Sequence, residues 1–275
     1  MIALIVTSFS CKQEIDLIQD DAKGSNMLLI GNSFFKPYAE KLDVMAVDAG
    51  FGNHRSTIVK RGGENGRPIN FWNDSTSAEH LLIKETLDQG GIEFFGMTSG
   101  HDPEHPIEGH RAWIEYALQN NPDVTIFIAI PPIDYPLNWD SLAQYYGYNT
   151  IEEVYEYFVG EVVHQKIVDS LRAEFPSNNI FTIPTGWATF KLAQMQEDDE
   201  LLDEIDLFGP KPESIFTDEK GHQGQIVIET GGLVWLSSLY GVDLGTNTYE
   251  TGFKTDLHVI AEEIVLTHDV DYQQY

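Results

Sequence analysis

The feature that most constrains this chain is a set of short apolar runs in which polar residues do not alternate: NMLLIG (26–31), IEFFGMT (92–98), VTIFIAIPP (124–132) and NIFTIPT (179–185). A strand with one face in water alternates polar and apolar residues. A continuous apolar run is instead buried on both faces, as in a parallel sheet. RSTIVKRGG (55–63) reads as a further strand, broken by glycines, which brings the count to about five. Between the runs the period changes. In 35–51, Tyr38, Leu42, Met45 and Ala46 recur at helical spacing, and Gly50 and Gly52 can end the helix. Helices are also predicted over 77–91, 107–122, 151–175 and 256–272. The 224–241 segment starts helical, although its β-branched run pulls toward strand. Strand and helix in alternation imply an α/β fold, with a parallel sheet and helices on both faces. The acidic stretch 197–216 reads as a solvated loop.

Length and charge narrow the reading. The 275 residues fit one large α/β domain, and 42% hydrophobic content suffices for a sizeable core. A net charge of −28 excludes a basic surface for nucleic acid. It describes solubility rather than fold. The single cysteine, Cys11, cannot form a disulfide within the chain. The run MIALIVTSFS before Cys11 is too short to span a bilayer. It resembles a bacterial lipoprotein signal with small Ser8 and Ser10 ahead of the cysteine, although no basic residue precedes it. The expected organisation is a signal segment (1–11), a polar linker (12–25) and one domain (26–275). On that reading Cys11 is lipidated and the protein is exported, lipid-anchored in a bacterial envelope or secreted. The alternative is an N-terminal strand with a chance cysteine.

The first apolar run ends in Gly31-Asn32-Ser33, just before a predicted helix. Ligands in open α/β sheets gather at the carboxyl ends of strands. Ser33 there can cap the helix, help the backbone cradle an anion, or act as a nucleophile whose oxyanion the backbone N–H groups hold. A nucleophilic serine needs a base and benefits from a carboxylate that orients it. FTDEKGHQGQIV (216–227) offers both on one loop, with Asp218 and Glu219 ahead of His222. The Gly-x-Ser-x-Gly elbow of α/β-hydrolases is not matched.

LLIGNSFF resembles the first block of the SGNH (GDSL-like) hydrolases, and DEKGH resembles their Asp-x-x-His block. The resemblance covers roughly residues 26–241. It implies a three-layer flavodoxin-like sandwich and a serine esterase that works through an acyl-enzyme. Carried over, it makes Ser33 the nucleophile and His222 the base. Asp218 is the preferred orienter, four residues before His222 rather than three; Glu219 has the family spacing. The oxyanion glycine falls at Gly62 or Gly63. No Asn ends the 92–98 strand, so either Thr98 or Ser99 replaces the family's second donor or that side-chain donor is missing.

Several loops remain. His101, Asp102, Glu104, His105 and His110 are of metal-binding type, but Pro103 and Pro106 break any helical register between them, so a substrate contact through His101 is preferred and no metal is expected. Tyr135 and Trp139, in the aromatic segment 131–148, are candidates for substrate contact or for a lid. GGENG (62–66) is no phosphate loop, and nothing requires a cofactor. The expected substrate is a small-molecule or carbohydrate ester bearing an acetyl or acyl group. The rivals are a catalytically weak carbohydrate-binding module on the same fold and a flavodoxin-like phosphate binder.

Overall fold

The computed structural model describes residues 23–100 and 102–275. Expectations for Cys11 and the rest of 1–22, and for His101, fall outside the described residues. The apolar runs form one sheet: β1 (Asn26–Gly31), β2 (Arg55–Lys60), β3 (Phe94–Thr98), β4 (Thr125–Ala129) and β5 (Ile180–Ile183), in the order β2-β1-β3-β4-β5. Every pairing is parallel. Alternate residues serve opposite faces. Met27, Leu29, Phe127 and Phe181 belong to one buried cluster, and Leu28, Ile30, Phe95 and Ile126 to another. This is why the strands read as unbroken apolar runs.

Helices cover both clusters. The chain carries α1 (Lys36–Asp48), α2 (Pro68–Asn73), α3 (Ala78–Asp88), α4 (Glu108–Ala117), α5 (Trp139–Tyr146), α6 (Ile151–Tyr157), α7 (Ser170–Glu174), α8 (Trp187–Glu197), α9 (Gln225–Tyr240) and α10 (Leu257–Thr267). α1, α8, α9 and α10 lie over the first cluster through Leu42, Leu192, Trp235 and Ile264. α3 and α4 lie over the second through Ile83 and Trp113. The predicted 151–175 helix is continuous, but its centre, Phe158–Asp169, has π-type hydrogen bonding between α6 and α7. Long π stretches are rare and gather at functional sites. The fold is thus the expected three-layer α/β sandwich.

One local expectation is overturned. The acidic 197–216 segment is not wholly a loop. It contains β6 (Asp206–Phe208) and β7 (Ser214–Phe216), which pair in parallel. Ser214, Ile215 and Phe216 are buried, so the charge runs flank a piece of core. No helix among the described residues is long and apolar enough to cross a membrane.

The strand order places the site. β1 sits between β2 and β3, so connections leave it in opposite directions. In a sheet of this order the crevice lies beyond the carboxyl ends of β1 and β3. The Gly31–Ser33 corner and the Thr98–Gly100 turn leave those two ends.

Candidate functional site

The corner after β1 is held by its own side chains. The Asn32 Oδ1 accepts the Phe34 N–H at 2.9 Å, and the Asn32 carbonyl accepts those of Phe35 and Lys36. The next residue, Pro37, has no N–H to offer. That leaves the Ser33 carbonyl without its helical donor; Ser33 itself is half-exposed, and its N–H has no partner among the described residues. The loop after β2 fits against this corner because residue 66 is glycine. A Cβ there would stand 2.7 Å from both the Asn32 Cβ and the Gly31 carbonyl oxygen.

The second strip comes from 217–224. The Thr217 N–H donates to the His222 carbonyl at 2.8 Å, and Gly221 takes φ +93° to close the turn. The turn is seated on the serine corner. The Gln223 amide donates to the Phe34 carbonyl at 3.0 Å, and the His222 ring stacks on Phe34 at 4.9 Å. His222 Nε2 lies 2.8 Å from Ser33 Oγ, and Nδ1 lies 2.6 Å from Asp218 Oδ2. An ionised carboxylate only accepts, so Nδ1 carries the proton and Nε2 accepts from the Ser33 hydroxyl. The other Asp218 oxygen accepts the backbone N–H groups of Lys220, Gly221 and His222. Burial pushes the Asp218 carboxyl up, but the His222 ring and these N–H donors outweigh it and hold the carboxyl below its ordinary range. Asp218 rather than Glu219 faces the imidazole.

A cavity of about 460 Å³ adjoins this strip. Asn32, Gly63, Thr98, Ser99 and Lys220 stand on its polar side. Of the residues expected at an oxyanion hole, Gly63 (φ +53°) and Thr98 are on the wall, whereas Gly62 is not. The Thr98 and Ser99 hydroxyls are buried without a hydrogen-bond partner. The Thr98 carbonyl accepts from His110 Nε2 at 3.1 Å, which ties this turn to α4. Burial pushes the His110 imidazole down to about 4, so at neutral pH it has a single N–H to give.

Two expected substrate contacts are placed elsewhere. Trp139 is not a cleft aromatic: its indole donates to the Ile133 carbonyl at 3.1 Å, and its ring packs on Phe190 and Phe216. Tyr135 is exposed and left-handed at φ +58°, and its N–H donates to the Lys220 carbonyl at 3.0 Å. It ties the loop after β4 to the histidine turn and does not line the cavity. His110 is no loop residue but lies buried in α4. Sequence reasoning missed Phe34, Gln223, Gly66 and the Lys220–Asp134 pair at 3.6 Å. Phe34, next to Ser33, and Lys220 and Gln223, on either side of His222, carried a positional hint; Gly66 and Asp134 carried none.

No known family model matches the chain, and neither does any curated protein sequence. Among solved structures, the periplasmic domain of a lipopolysaccharide acetyltransferase from Salmonella ser. Paratyphi A is 15% identical, with a TM-score of 0.37 over 62% of this chain and 69% of that one.

Proposed function

We propose that this protein is a serine esterase that cleaves carboxylic esters through an acyl-enzyme. The observation that carries the reading is the unbroken line Asp218–His222–Ser33, with contacts of 2.6 and 2.8 Å, at the switch point of the sheet. Ser33 Oγ attacks the ester carbonyl while His222 Nε2 takes its proton. The tetrahedral oxyanion collapses, and His222 returns the proton to the leaving alcohol. Water, activated by the same imidazole, then releases the acid and restores Ser33.

The oxyanion is received by the Ser33 N–H, which has no partner among the described residues, and by the Gly63 N–H, and the buried, unpartnered hydroxyl of Thr98 or Ser99 joins them by rotating toward the cavity. Those hydroxyls stand where the SGNH resemblance would put an Asn side chain. Buried donors without partners are costly unless a ligand completes them. The phosphate-binder rival loses its cradle, because the N–H groups of Phe34, Phe35 and Lys36 are already spent on Asn32.

Replacing Ser33 by Ala should remove p-nitrophenyl ester hydrolysis by at least about a thousandfold, since the binding site alone leaves only residual rate over water. A fluorophosphonate probe should label the wild type at Ser33 and leave the variant unlabelled. Turnover surviving in Ser33→Ala would defeat Ser33 as the nucleophile, whereas a wild type that neither turns over esters nor takes the probe would return the carbohydrate-binding module as the reading.

A further inference from the structure

The cavity is larger and more apolar than an acetyl group requires. Beyond its polar side it is walled by Ile133, Leu142, Val154, Phe158 and Val162. Val154, Phe158, Val162 and Lys166 are four residues apart. In an α-helix, residues at this spacing drift steadily around the axis. The α-type turns before Phe158 and the wider π-type turns after it drift in opposite senses at this spacing, so the four stay near one face and the irregular helix makes one long wall. The charges at the cavity are largely satisfied from within: Arg67 pairs with Glu64 at 3.1 Å, and Lys220 with Asp134. Such a site offers a sugar ring few free polar groups, while it can remove a hydrocarbon chain from water.

Chemistry decides which half of an ester enters. His222 must protonate the leaving alcohol, so the alcohol lies on the imidazole side. Ser33 and His222 both stand beside the cavity rather than on its wall, whereas Asn32, Gly63, Thr98 and Ser99, on the carbonyl side of Ser33, line it. The part that stays bonded to Ser33 is therefore the part that continues into the cavity. We infer that this chamber binds the acyl chain, and that the enzyme acts on esters of medium-chain fatty acids in preference to acetyl esters. The inference rests on the esterase reading and narrows the acyl group that reading left open.

The test compares kcat/KM for p-nitrophenyl acetate, butyrate and octanoate, alongside fluorophosphonate labelling of Ser33. A methylene that leaves water on binding is worth about threefold to fourfold. Octanoate should thus exceed acetate by at least about a hundredfold, allowing for incomplete burial. Val162→Trp, which fills the chamber, should lower the octanoate-to-acetate ratio by about tenfold or more. Leu142→Trp, at a half-buried position of the cavity wall in α5, gives a second reading should Val162→Trp not fold. Labelling of Ser33 with acetate as the best substrate would overturn the chain-binding inference and leave the esterase standing. So would an octanoate preference that neither Trp variant changes. Absence of both labelling and turnover on every ester would remove the esterase reading itself, and this inference with it.

Discussion

At the scale of single residues, the site depends on one tautomer. Asp218 Oδ2 can only accept from Nδ1, which leaves Nε2 free to take the Ser33 proton. An Asn at 218 can instead donate its amide to Nδ1 and force the proton onto Nε2, where it blocks the base. Asp218 is also exposed, so its charge is screened and its hydrogen bond matters more. Asp218→Asn should therefore lower kcat by about a hundredfold or more, with KM nearly unchanged. Glu219→Gln, one residue away and without contact to the ring, should stay within about twofold. Steady-state kinetics with one soluble ester measures both. A large loss in Glu219→Gln beside a near-normal Asp218→Asn would reverse the roles. Residue types alone left these two carboxylates open; the three backbone N–H groups that fix Asp218 come from the turn, which only the fold displays.

Among the elements, the unbroken apolar runs announced the parallel sheet, and Gly31-Asn32-Ser33 with Asp218 and His222 named residues that the fold brings together in the candidate site. What stayed hidden depends on contacts between distant segments. Trp139 looked like a cleft aromatic because nothing local reveals that Phe190 and Phe216 come to meet it. β6 and β7 were masked by the acidic residues around them. The α9 helix was in doubt for its β-branched run and also contains Gly231-Gly232, yet it forms because its glycines let α1 come close. A Cβ on Gly231 would stand 2.2 Å from the Tyr38 ring, which is fully buried. One on Gly232 would stand 2.4 Å from Lys41 Cγ and 3.0 Å from the buried Met45 sulfur, and Lys41 is tied to Glu229 at 2.6 Å. Alanine favours a helix over glycine by about 1 kcal/mol. Overpacking a core costs about 1–3 kcal/mol. With contacts this short the overpacking cost outweighs the helix gain, so Gly231→Ala and Gly232→Ala should each destabilise by about 1–2 kcal/mol net. Urea denaturation midpoints against the wild type measure this; midpoints equal to the wild type's would mean that α1 and α9 do not pack through these glycines.

For the whole molecule, acid stability turns on buried imidazoles set against surface charge. Burial pushes His110, His164 and His268 each down to about 4. The last two share the Thr182 hydroxyl, at 3.1 and 2.7 Å, and His164 stacks on Tyr272 at 3.7 Å. Asp269 favours their protonation, while Arg172 opposes it at His164 and His164 itself opposes it at His268. The unfolded chain binds protons at these sites near pH 6.5, and the folded chain does so only near 4. Between those values the unfolded state holds more protons, so stability rises with pH and is lost as pH falls from about 6.5 toward about 4. The net charge of −28 acts the other way, because protonating carboxylates relieves self-repulsion. Carboxylates titrate mainly below about 5, so the window from about pH 6.5 to 5 reports the histidines. At pH 5.5 each buried imidazole should cost on the order of 1 kcal/mol relative to pH 7. His164→Phe keeps the stack on Tyr272, removes one titrating group and leaves Thr182 its bond to His268. Its urea midpoint should fall less between pH 7 and 5.5 than the wild type's, by about the share of one histidine. An identical pH slope in the two proteins would show that His164 takes up its proton in the folded state and contributes no acid sensitivity.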